Sequence, residues 1–167
     1  MNRLRLLVFM GVLLAIAVIA PSTALAKRGG TDRPVKGEGS GATTANLATG
    51  AATSQGTLHL SHTGKTTATL NTTLTPTGPN TVALTGTSTH VAANGDTIFA
   101  TLTGTITGIG VGESADFTVV FTITGGTGRF ADASGTLTGR GSQLIVSQVG
   151  ATLTLSDTFT LSGTISY

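Results

Sequence analysis

From residue 41 to the C-terminus, apolar and hydroxylated side chains alternate with a period of two. Successive side chains of a β-strand point to opposite faces, so each alternating run predicts a strand with one apolar and one hydroxylated face. Thr, which recurs throughout, is β-branched and favours strands. Runs of this kind cover 97–107, 117–124 and 149–167. In the last run the apolar odd-numbered positions are Val149, Ala151, Leu153, Leu155, Phe159, Leu161, Ile165 and Tyr167.

Turn residues divide this region into strands. Asn94-Gly95 lies between two alternating runs, and Asn-Gly tolerates the positive φ angles of a tight hairpin turn. Clusters of Gly, Pro and Asn mark further breaks, and no stretch between them has sustained helical periodicity. The predicted strands are roughly 37–46, 52–61, 65–75, 81–91, 97–108, 115–124, 129–146 and 151–166.

A series of antiparallel strands with one apolar face must close on itself or stack as two sheets. Closure suits short sequential hairpins, and it removes the exposed strand edges that template aggregation. We therefore expect an all-β fold, a single eight-stranded antiparallel up-and-down β-barrel formed by residues 41–167. A barrel of eight strands is just wide enough to be filled by side chains or to hold one small ligand.

The N-terminal segment has a different composition. Residues 1–26 combine two arginines, an apolar run and a terminal Ala-Leu-Ala, which is the pattern of a cleaved signal peptide. The alternative, a membrane anchor, needs roughly 20 apolar residues, and this run is shorter. Residues 27–40 are rich in Gly and charges and are predicted to be a flexible leader. We expect a secreted or extracytoplasmic protein, at the cell surface or in the periplasm, with no membrane-spanning helix after cleavage.

The chain's net charge of +2 arises from these N-terminal segments, where six basic and two acidic side chains give a formal charge of +4. Residues 41–167 hold three basic and five acidic side chains, a formal charge of −2, which argues against binding to a nucleic-acid backbone. The chain has no Cys, and the spacing of its three His matches no zinc site. We therefore expect neither a metal nor another cofactor.

The segment Gly125-Gly126-Thr127-Gly128-Arg129-Phe130 carries a family resemblance. Together with the preceding apolar strand 117–123 and the C-terminal Gly163 to Tyr167, it resembles the barrel of allene oxide cyclases and dirigent proteins, in particular small secreted bacterial members. The resemblance implies an eight-stranded antiparallel barrel. The family contains cyclases, guides for radical coupling and uncharacterised exported proteins, so it implies no single function.

The same Gly-rich segment has the composition of a phosphate-binding loop, but no phosphate-binding motif or following helix accompanies it. Gly125, Gly126 and Gly128 are therefore predicted to form a structural turn, like Asn94 and Gly95 in the hairpin.

Few side chains suited to chemistry share the apolar faces. By strand parity they are His90, Asp96, Glu113 and Asp157. His90 and Asp96 flank the Asn94-Gly95 hairpin, and the up-and-down order brings Arg129 to the same rim. Such a group can orient a ligand or transfer a proton. The alternative is an Asp that accepts turn hydrogen bonds beside a solvent-facing His and Arg, and this is the preferred interpretation.

Asp157 interrupts an apolar face, and a buried carboxylate requires a raised pKa or a partner. Either Asp157 lines a pocket, or a β-bulge around Ser156-Asp157-Thr158 turns it outward. We prefer the bulge. In the related cyclases and dirigent proteins, acidic residues inside the barrel take part in catalysis or ligand positioning.

Two classes of function follow. A non-enzymatic exported barrel that binds a small apolar ligand or another surface is favoured because catalytic motifs are absent from the sequence. The alternative is an isomerase, a cyclase or a stereochemical guide that acts on an apolar substrate inside the barrel. A solidly packed interior favours the first class, whereas an open apolar cavity with converging polar groups favours interior chemistry.

Overall fold

The computed structural model describes residues 30–109 and 114–167. Eight strands form a closed antiparallel barrel in which each strand pairs with its neighbours in sequence and the first strand closes on the last. This confirms the predicted fold class. The strands are β1 (Arg33–Asn46), β2 (Ala51–Leu60), β3 (Gly64–Gly78), β4 (Thr81–Ala92), β5 (Thr97–Thr107), β6 (Ser114–Gly126), β7 (Ser134–Val149) and β8 (Thr152–Ser166).

The boundaries differ most at β1 and β7. β1 begins at Arg33, so it includes residues 33–40, which the sequence places in the leader. Val35 is buried, and the neighbouring inward positions of β1 are glycines, so this half of the strand has little of the apolar alternation used above. β7 begins at Ser134 because a 3₁₀ turn, Gly128–Phe130, precedes it. The predicted signal peptide, 1–26, lies outside the described residues.

The hairpin between β4 and β5 is confirmed. Gly95 has a φ of 88°, and its N–H donates to the carbonyl of Ala92, which closes the turn. Asn94 supports the turn by accepting a hydrogen bond from the backbone N–H of Asp96 at 3.2 Å. Within the described ranges, no helix is long and apolar enough to cross a membrane.

The up-and-down order gives the barrel two distinct ends. The closed end carries the connections 61–63, 93–96 and 127–133 and both termini of the sheet. The open end carries the connections 47–50, 79–80 and 150–151 and the described part of the β5–β6 connection.

Phe130 plugs the closed end. Its side chain is fully buried, and its ring packs edge to face on Tyr167 with 4.8 Å between centroids. Other buried apolar side chains pack into the same core, which fills this half of the barrel. They include Val35, Ala92, Ile98, Ala133 and Ile165.

Phe rings inside the barrel cover inward-facing glycines. A Cβ on Gly39 would lie 2.8 Å from the ring of Phe159, and a Cβ on Gly141 would lie 2.8 Å from the ring of Phe117. Glycine at these positions therefore leaves room for an aromatic side chain from the neighbouring, paired strand.

Candidate functional site

A cavity of about 460 Å³ occupies the half of the barrel nearer the open end. At its mouth lie the 47–50 turn, Pro76 and Ile109. Its wall is mostly apolar, and its deep end is formed by Leu58, Phe121 and other core side chains. The interior is therefore open rather than solidly packed.

The cavity exists because inward side chains on two adjacent strands are small. On β1 the inward positions nearest the open end are Gly41, Thr43 and Ala45, and on β2 the facing positions are Ala52, Ser54 and Gly56. A Cβ on Gly56 would lie 2.6 Å from the carbonyl oxygen of Ser40, so the two strands approach closely there. Short side chains on this wall leave volume that the larger residues on other strands do not fill.

Asp157 points into this cavity. The residue is 5% exposed, and it pairs in register with Gly41 of β1 and Gln143 of β7. Ser156 and Thr158 also pair one to one with both neighbouring strands, and the register irregularity between β7 and β8 falls at 145–147 instead. The preferred interpretation, a bulge that turns Asp157 outward, was therefore wrong.

Two polar side chains from the adjoining strands β1 and β7 hydrogen-bond the Asp157 carboxyl group, and a third, on β2, contacts one of them. The Thr43 hydroxyl donates to Oδ2 at 2.5 Å, and the Gln143 amide donates to Oδ1 at 2.9 Å. Ser54 Oγ lies 2.6 Å from Thr43 Oγ1 and extends the network to β2. We call Thr43, Ser54, Gln143 and Asp157 the polar cluster. It replaces the water that the carboxyl group loses on burial.

Burial dominates the electrostatics of the polar cluster. It raises the pKa of Asp157, because desolvation disfavours the charged form, while the hydrogen bonds from Thr43 and Gln143 act in the opposite direction. Among the described residues that line the cavity, none is Lys or Arg. The carboxyl group thus meets neutral donors and no basic side chain of the cavity wall.

His90 faces the same cavity from β4. In the closed sheet, three strands separate β4 from β8 on either side, so His90 and Asp157 stand on opposite walls. His90 is 7% exposed; its Nε2 lies 3.0 Å from Ser88 Oγ, and its Nδ1 has no hydrogen-bond partner among the described residues. Burial lowers the pKa of His90 from 6.5 to about 4, so the ring is neutral at pH 7.

Asp96 and Arg129 meet at the rim of the closed end, as the sequence predicts. Arg129 Nε lies 3.8 Å from Asp96 Oδ2, which also accepts a hydrogen bond from the Asn94 amide at 2.7 Å. A second guanidinium nitrogen of Arg129 donates to the carbonyl of His62 at 2.8 Å. His90 was expected at this rim, and the preferred interpretation had it facing solvent. This was wrong, because His90 is buried inside the barrel and lines the cavity, whereas the Asp96–Arg129 pair does not line it.

The remaining predicted site residues are the glycines of the 125–128 turn, which the structure describes, and Glu113, which it does not. Gly125 and Gly128 have positive φ angles of 137° and 57°, and Gly126 approaches the Thr97 carbonyl too closely for a side chain. These glycines form the turn that delivers Phe130 to the closed end. Glu113 lies outside the described residues.

Sequence reasoning missed Thr43, Ser54 and Gln143. Among many hydroxyl residues, the signal for Thr43 is its odd parity, which it shares with Val35 and Ala45 on the inward face of β1. Gln143 becomes visible only once the β7–β8 register is known, because it pairs directly with Asp157. In the part of the chain that the structure describes, no group of three or more His, Cys, Asp or Glu is placed to hold a metal ion.

Comparison with known proteins does not assign a family. No protein-family model and no curated protein matches the sequence. The functional argument therefore depends on the cavity and the groups that face it.

Proposed function

We propose that this protein is an exported, non-enzymatic β-barrel that binds one small, mostly apolar ligand in its interior. The observation that carries the proposal is the cavity of about 460 Å³, which reaches the open end. Small-molecule sites typically measure about 300–1,000 Å³, with apolar walls and a few polar groups that fix orientation. The polar cluster and His90 are such groups.

Two features of the sequence support the proposed export and the proposed binding inside the barrel. The signal-peptide pattern of 1–26 supports export. The Gly125 to Phe130 segment supports a relationship to the barrels of allene oxide cyclases and dirigent proteins, whose interiors receive apolar molecules. A role in surface interaction alone leaves the interior cavity without a function, so ligand binding is the better proposal.

The test is binding of Nile red, an uncharged dye whose fluorescence rises in apolar surroundings. Ala52 lines the cavity wall, and Ala52→Phe places a ring in the cavity. The matched control is Thr53→Phe, the same ring on the exposed face of the same strand. We expect Ala52→Phe to weaken dye binding about tenfold or more, whereas Thr53→Phe retains it.

Equal dye binding by the two variants would contradict an interior site. Circular dichroism and a thermal melt establish that both variants are folded. Native mass spectrometry of protein purified from its own host identifies the physiological ligand, which we expect to be a single apolar molecule of defined mass.

A second candidate function is an isomerase or cyclase. It is favoured by two groups on opposite walls of one apolar cavity, a carboxyl with a raised pKa and a neutral imidazole with a free nitrogen. Groups of this kind serve as proton donors or acceptors in catalysis. If the co-purified molecule is converted to an isomer of equal mass by the protein but not by Asp157→Asn, this candidate replaces the first.

A further inference from the structure

We infer that the ligand carries a hydrogen-bond-donating head group, an amine or an alcohol, and that the cavity rejects carboxylates. The inference rests on the proposed function and specifies its ligand. It follows from the groups that the cavity offers and from those that its wall lacks.

The polar cluster offers acceptors to a ligand. An ionised carboxylate has about four lone-pair sites, and Thr43 and Gln143 each donate one hydrogen bond to the Asp157 carboxylate. A ligand that donates a proton to a remaining site compensates part of the desolvation of the charge. An ammonium group does more, because it supplies a positive charge that no described residue of the cavity wall provides.

The opposite wall offers little to an anion. His90 is buried and uncharged at pH 7, because burial lowers its pKa to about 4. Its Nδ1, which no described residue contacts by a hydrogen bond, accepts or donates one hydrogen bond according to the tautomer, but it supplies no positive charge. The described cavity wall therefore contains one acidic side chain, Asp157, and no side chain that is positively charged at pH 7.

A ligand carboxylate would place a second negative charge in this site. Two carboxylates in one desolvated site do not both ionise, so one of them must first take up a proton. An alcohol of the same chain length carries no such requirement. Head-group preference at constant chain length thus reports the chemistry of the polar cluster separately from the size of the cavity.

The experiment compares decylamine, decanol and decanoate as displacers of Nile red from the full mature protein at pH 7.5. We expect decanoate to bind at least about tenfold more weakly than decanol, because a shift of one pKa unit in either carboxyl group on binding costs a factor of about ten in affinity. Decylamine should bind at least as tightly as decanol. Decanoate that displaces the dye as well as decanol does would overturn the inference.

Asp157→Asn replaces the carboxyl group by a neutral amide. We expect this variant to lose most of the discrimination against decanoate, measured as the ratio of the decanoate and decanol affinities, so that a loss common to both ligands does not affect the comparison. The matched control is Asp116→Asn, the same change at an exposed position on the outer face of β6, which should leave the preference unchanged. If Asp157→Asn discriminates as strongly as the unchanged protein, the carboxyl group is not the cause and the inference fails.

A pH series on the unchanged protein gives an independent test if Asp157→Asn does not fold. Decanol does not titrate and decylamine stays charged as the pH is lowered from 8 to the onset of acid unfolding, and the same series on His90→Gln removes the titration of His90. Burial raises the pKa of Asp157, so its protonation as the pH falls should weaken decylamine relative to decanol in both proteins. A constant ratio contradicts the inference, whereas failure of Nile red to bind at any pH contradicts the proposed function itself.

Discussion

The two ends of the barrel are built from the same alternating strands but have opposite interiors. At the closed end, buried apolar side chains fill the core, and Phe130 packs there against Tyr167. At the open end, inward positions of β1 and β2 are Gly, Ala, Ser and Thr, and the cavity lies beside them. Small and hydroxylated residues on the inward face therefore leave a cavity, whereas the same residue types on the outward face lie against solvent.

The ends also differ in their exposed surfaces. Arg129 and Asp96 form a charged rim at the closed end. Around the open end, Leu47, Ile109 and Val149 are exposed, so the approach to the cavity is apolar. If stability is concentrated at one end and binding at the other, substitutions at the two ends should affect different measurements.

The largest expected effect on stability is at the plug. Phe130→Ala removes a fully buried ring and should lower the free energy of unfolding by about 3–5 kcal/mol, measured by urea denaturation. The control at the other end is Val149→Ala, a side chain that is 78% exposed, and it should change stability by about 0.5 kcal/mol or less. Similar losses at the two ends would contradict the division.

The sequence predicted the barrel because strand parity depends only on neighbouring residues. It did not predict the cavity, since the empty volume depends on which small residues face each other across β1 and β2. Asp157 shows the same limit. Its parity pointed inward, but its partners Thr43 and Gln143 are on other strands, and without the register a solitary carboxylate was better explained by a bulge.

The stability should also depend on pH through His90, which lies between the Phe130 plug and the cavity. Its pKa is lowered to about 4 by burial, so between about pH 6.5 and pH 4 the unfolded chain binds a proton that the folded chain does not. Above about pH 6.5 the free energy of unfolding keeps its full contribution from the uncharged, buried ring. As the pH falls to 4 and below, about 3 kcal/mol of that free energy is lost. Urea unfolding between pH 7 and pH 4 measures it.

Asp157 gives a dependence of the opposite sign. Its folded-state pKa is raised, so its contribution is greatest at low pH and is lost as the pH rises through that pKa. His90→Gln, which does not titrate, should therefore remove the His90-dependent loss of stability on acidification and leave the gain from Asp157. His59→Gln, at an exposed position of β2, is the control and should retain the loss. Identical pH profiles for the two variants would contradict a buried neutral His90.

The smallest expected effect is at the charged rim. Arg129→Ala removes an ion pair whose side chains are 43% and 22% exposed, a hydrogen bond to His62, and a guanidinium that lies 4.7 Å from the centroid of the Phe130 ring. Solvent weakens exposed pairs of this kind, so the loss of stability should be about 1 kcal/mol or less. Arg140→Ala, on the exposed face of β7, is the matched control for loss of one positive charge.

The rim substitution also tests where the ligand binds. Asp96 and Arg129 do not line the cavity, so Nile red should bind Arg129→Ala and Arg140→Ala with the affinity of the unchanged protein. Selective loss of dye binding in Arg129→Ala would instead indicate that the dye binds at the charged rim, where strand parity placed the candidate residues. Because the cavity opens at the other end of the barrel, that result would be incompatible with binding through the open end, and a single titration distinguishes the two locations.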